Sequence, residues 1–76
     1  MKVEEFVETL RKYRWQEPPV PFIIEFTTGK QIFIDNPEAV GFMEGQGYFF
    51  SPSYEFVEFS HQDVQRIRPV IEEAVS

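Results

Sequence analysis

In Phe22-Ile23-Ile24-Glu25-Phe26-Thr27-Thr28-Gly29-Lys30-Gln31-Ile32-Phe33-Ile34, apolar side chains stand at alternate positions 22, 24 and 26 and again at 32 and 34. An extended chain sends successive side chains to opposite faces, so Phe22, Ile24 and Phe26 share one face while Ile23, Glu25 and Thr27 share the other. Thr28-Gly29-Lys30 supplies a turn with a glycine free to take a positive φ, and residues 31–34 return antiparallel to residues 22–27. Asp35-Asn36-Pro37-Glu38 stops the returning arm, because Asn and Asp make side-chain turns and proline lacks a ladder donor.

Downstream, the same reasoning predicts a strand over 39–43, a turn at Glu44-Gly45-Gln46-Gly47, and strands over 48–51 and 54–59 separated by Pro52-Ser53. Ser60-His61-Gln62-Asp63 has the spacing of a capped turn, with Ser60 as the cap. A last strand follows over 64–68, and Pro69 closes it. Upstream the period changes from two to 3.6. Val3, Phe6, Val7, Leu10 and Tyr13 fall on one helical stripe, predicting an amphipathic helix over 2–15 that frays at Trp15. Glu4, Glu5 and Glu8 near its start and Arg11, Lys12 and Arg14 near its end both match the helix dipole. The prolines of residues 16–21 form a connector that cannot continue the helix, and the indole of Trp15 is expected to fold back over them.

The predicted organisation is one small domain: helix 2–15, connector 16–21, β meander 22–69 and tail 70–76. The class is α+β, an N-terminal amphipathic helix followed by a five- to six-stranded, strongly bent antiparallel meander. A short meander must curl to bury its apolar face, which makes an SH3-like or Sm-like partial barrel the expected architecture.

Composition narrows the function. The 76-residue chain has no cysteine, which excludes disulfides, thiolate metal sites and thiol nucleophiles. Its net charge of −6 argues against a nucleic-acid binder. The N-terminal segment is acidic and periodic rather than basic and apolar, so no secretory signal is read there, and no apolar run approaches the ~20 residues of a bilayer crossing. A cytoplasmic location and no membrane association are the expectations.

Motif by motif, structural roles prevail over chemistry. Ser60, His61 and Asp63 have a triad's residue types, but neighbours on one turn point in different directions, whereas triads converge from separate elements. His61 is the single histidine, too few for a His-based metal site. Glu55 and Glu58 fall on opposite strand faces, which prevents shared acid–base work. Gly45-Gln46-Gly47 is half of a phosphate-loop pattern without the third glycine or the helix it must open, and reads as a hairpin turn. No catalytic residue, metal or cofactor is assigned.

Two groupings remain. Arg11, Lys12 and Arg14 with Arg66 and Arg68 would form a basic corner if helix end and last strand met, a candidate anion or RNA contact. Between residues 30 and 65, by contrast, Lys30 stands alone against Asp35, Glu38, Glu44, Glu55, Glu58 and Asp63. The second grouping is aromatic. Rings make up 17% of the chain, nine of them Phe, more than so small a core encloses. Phe6, Tyr13, Phe22 or Phe33, Phe42, Phe49 and Phe59 fill it. Tyr48, Phe50, Tyr54 and Phe56 then project from the opposite faces of their strands, as a candidate protein interface. The expected function is a small non-enzymatic protein-binding or self-assembly module, with another copy of the chain as partner. An Sm-like RNA-binding protein using the basic corner is the alternative.

The hairpin of residues 21–34, the following Asn36-Pro37-Glu38-Ala39-Val40 and the closing Arg66-Ile67-Arg68-Pro69 together resemble a group of small uncharacterised bacterial proteins. That group has a Pro-Phe, Thr/Asp-Gly-Lys/Arg, Asn/His-Pro-Glu and Arg-Ile-x-Pro pattern. The resemblance spans most of residues 20–70 and implies the fold, not an activity. Residues 22–34 are also loosely similar to the first motif of Sm-like proteins. The second motif's Arg-Gly is here Arg68-Pro69, and Asp35 and Asn36 are adjacent where that family spaces Asp-x-x-Asn. RNA binding is what this second similarity implies.

Overall fold

The computed structural model describes residues 1–51 and 55–70. Helix α1 spans Val3–Arg14 and buries Phe6, Leu10 and Tyr13, three members of the stripe. It stops where expected: the Trp15 amide still donates to the Arg11 carbonyl at 3.2 Å, and the prolines beyond bar a further turn. The six strands are β1 (Phe22–Phe26), β2 (Gln31–Ile34), β3 (Val40–Met43), β4 (Gln46–Phe50), β5 (Phe56–Ser60) and β6 (Val64–Pro69).

The α+β class and six antiparallel strands are as the sequence predicts, but the strands do not form one continuous meander. They divide into two open sheets of three, in the orders β2-β1-β6 and β3-β4-β5. The division occurs at two 3-10 turns, Pro37–Ala39 and His61–Asp63. Each is opened by a capping side chain. Asn36 Oδ1 accepts from the Glu38 amide at 3.2 Å, and Ser60 Oγ accepts from the Gln62 amide at 3.3 Å. A turn of this kind re-aims the chain, so β6 pairs with β1 instead of its sequence neighbour β5. A register shift between Glu25 and Phe26 lets β1 follow β6 along its length.

The hairpin between β3 and β4 is tighter than predicted. Met43 pairs with Gln46, leaving only Glu44 and Gly45 at the tip, with Glu44 in the left-handed region at φ 54°. β5 starts at Phe56. The part of its predicted range that includes Tyr54 lies outside the described residues.

The core lies between the sheets and under the helix. Phe22, Ile24 and Phe26 of β1 meet Ile34, Val40, Phe49, Phe59 and Val64, with Phe6, Leu10 and Tyr13 from above. Tyr13 stacks on Phe22 with ring centres 4.6 Å apart. Phe59 receives the edges or faces of both Phe6 and Phe26 near 6 Å, the T-shaped arrangement ring quadrupoles favour. Of the alternatives Phe22 and Phe33, Phe22 is enclosed, whereas Phe33 is 54% exposed on the far side of its sheet. Phe42 is only partly buried.

Trp15 has two neighbours that the sequence does not predict. Its ring meets Phe42 of β3 edge-on at 6.5 Å, and the Arg14 guanidinium sits 5.2 Å from its centre.

Candidate protein-binding face

Register defines the outer face of the β3-β4-β5 sheet. Gly41 lies opposite Tyr48, Met43 opposite Gln46, Tyr48 opposite Glu58, and Phe50 opposite Phe56. Their strand neighbours Val40, Phe49 and Phe59 face the core, which fixes the parity. Tyr48, Phe50 and Phe56 are 37%, 52% and 59% exposed. Tyr48 and Phe56 sit diagonally across the β4–β5 ladder with ring centres 5.9 Å apart. Three of the four rings singled out in the sequence therefore stand together on one exposed face, and Tyr54 lies outside the described residues.

Tyr48 lies over Gly41, so closely that a Cβ at position 41 would collide with its ring. Glycine thus acts here as a seat for an aromatic side chain. At the β3 edge this seat opens into a groove of roughly 300 Å³ lined by Arg11, Arg14, Trp15, Val40, Gly41, Phe42 and Tyr48.

The residues of the basic corner are placed in separate settings. Arg11 and Arg14 line the groove beside β3, and Lys12 lies 6.0 Å from the centre of the Tyr13 ring. Arg66 and Arg68 lie on the outer face of the other sheet, where both are engaged by Glu25 of β1. Arg66 Nε donates to Glu25 Oε1 at 2.5 Å and Arg68 Nε to Oε2 at 2.8 Å. Gln31 Nε2 adds a third donor to Oε2 at 3.0 Å. The face carrying Phe22, where Tyr13 of the helix stacks, is the opposite one.

Glu25 is the residue that sequence reasoning overlooked. A lone carboxylate inside an apolar strand, with two arginines two residues apart in another strand, was the available signal. The hydrogen bonds from Arg66 and then Arg68 hold its carboxyl down from 4.5 to about 2, against a smaller opposing effect of desolvation. The pairing therefore stabilises the fold fully above pH 4.5, and that contribution is lost as the pH falls toward 2. We expect the urea midpoint of the wild type to drop between pH 5 and 2.5 more steeply than that of Glu25→Gln, which has no carboxyl to protonate there. Parallel profiles would show that Glu25 is not held in this way.

Ser60 and His61 both have structural partners. Ser60 caps its turn, and His61 Nδ1 lies 2.8 Å from the Met1 carbonyl, to which it donates as the N–H tautomer. The N-terminal amine donates to the carbonyls of His61 and Val64 at 3.2 and 2.9 Å, tying the start of the helix to the second 3-10 turn. Among the described residues no three His, Asp or Glu side chains gather as a metal site would require. Among them too, no helix is long and apolar enough to cross a membrane.

No protein-family model matches the chain, and no curated protein or solved structure matches it.

Proposed function

We propose that the protein is a small non-enzymatic binding module that self-assembles through the outer face of the β3-β4-β5 sheet. The observation that carries this reading is the row of Tyr48, Phe50 and Phe56, exposed together on one face of the sheet while Val40, Phe49 and Phe59 on the other join the core with Phe6, Leu10 and Tyr13 of α1. Apolar rings grouped on a surface are covered more often by protein than by water, and aromatic residues are enriched in the cores of interfaces. The basic groups support nucleic-acid binding less well, since Arg66 and Arg68 already serve Glu25.

As to architecture, we read the two sheets as the halves of an SH3-like or Sm-like partial barrel. In support, β2 runs through Pro37–Ala39 into β3, and β5 runs through His61–Asp63 into β6, so the chain passes between the sheets at both places.

Sedimentation equilibrium from about 10 μM to 1 mM tests the module. Standard interfaces bury ~800 Å² per partner, and three strands of four or five residues make a short face, so association should be weak and concentration-dependent. The wild type should exceed its 9.0 kDa monomer mass at the upper end. Phe56→Glu, which places a charge among the rings, should remain at monomer mass throughout. A wild type that stays monomeric at 1 mM contradicts the reading.

A further inference from the structure

The face is electrically lopsided. Of the eight residues that register places on it, namely 41, 43, 46, 48, 50, 56, 58 and 60, Glu58 is the sole carboxylate, and it stands on β5. The opposite edge, at β3, carries the groove with Arg11 and Arg14. Neither arginine has a carboxylate partner among the described residues, whose ion pairs both belong to Glu25. Across Gly41, Tyr48 and Glu58, adjacent in register on successive strands, the surface thus runs from positive through aromatic to negative.

This polarity selects one symmetry for two copies packed face to face. A two-fold axis in the interface plane but across the strands lays β3 over β3 and β5 over β5, setting arginines against arginines and Glu58 against Glu58. An axis along the strands lays the β3 edge of each copy over the β5 edge of the other. It brings both arginine-lined grooves to a Glu58 while the rings meet in the middle. Closed dimers are isologous, so each such contact occurs twice. We propose that the occupant of this face is a second copy of the chain, related by a two-fold axis parallel to the strands, with Glu58 of each copy pairing with Arg14 and Arg11 of the other. The pairing rests on the self-assembly reading above and adds its geometry.

A charge-swap mixture tests it. Arg14→Glu alone and Glu58→Arg alone each create two repulsive contacts per dimer and should weaken self-association at least about tenfold at low salt, since like charges set together oppose association. An equimolar mixture of the two variants should recover association to within about threefold of wild type, because in the mixed dimer both contacts are again between opposite charges. Far-UV circular dichroism verifies that each variant is folded, and if Arg14→Glu is not, Arg11→Glu from the same groove replaces it. Recovery only on mixing supports the strand-parallel axis. A wild type that associates while the mixture stays as weak as its components overturns the axis and leaves the self-assembly reading standing. A wild type that never associates overturns both.

Discussion

Phe6→Ala should bring the protein to the edge of unfolding. Phe6 is fully enclosed and joins the helix to both halves of the core, with its ring near Phe59 on β5 and near His61 in the turn leading to β6. Truncating a buried phenylalanine costs about 3–5 kcal/mol, from lost transfer energy and the cavity left behind. A domain of this size has a total stability of only about 4–11 kcal/mol, so the change removes a large share of it. We expect a thermal midpoint lower by about 20 °C or more by circular dichroism. Phe33→Ala, on the exposed side of its sheet, should cost less than ~1 kcal/mol. Similar losses for the two variants would contradict this assignment of the core.

Gly47→Ala is the second large effect, and it arises from a missing side chain. Gly47 is central in β4, paired with Phe42 on one side and Phe59 on the other, so its backbone is held by both neighbours. A Cβ there would stand 2.7 Å from Cζ of the buried Phe59 and closer still to Cε2. Phe59 is packed against Phe6 and Phe26, which opposes its turning aside. Overpacking of this kind costs about 1–3 kcal/mol, measurable as a shift in urea midpoint with an unchanged slope. A midpoint equal to wild type would mean that Phe59 can move and that the core is looser than its ring contacts indicate.

The alternation in residues 22–34 and the stripe in residues 3–13 were legible because each is set by local periodicity. Parity also separated Phe49 and Phe59 from Tyr48, Phe50 and Phe56, and the described rings stand as that parity predicts. Pairing of β6 with β1 was not legible, since it depends on where a 3-10 turn aims the chain, and a capping serine reveals the turn but not its direction. The same long-range pairing brings Glu25 to Arg66 and Arg68, residues about forty positions away, so the ion cluster could not be read from spacing. The contact of Trp15 with Phe42 was not legible for a related reason: Phe42 belongs to a strand whose approach to the helix end is a tertiary fact.

In the proposed assembly, the face carrying Tyr48, Phe50 and Phe56 is the one that a partner covers. Dilution NMR reads this directly, following side-chain signals from 1 mM to about 20 μM. The predicted result is a set of shift changes confined to Tyr48, Phe50, Phe56, Glu58 and the Arg14–Trp15 edge, with Phe33 on the other sheet constant. Constant signals from those rings at every concentration, or changes centred on Phe33, would contradict it.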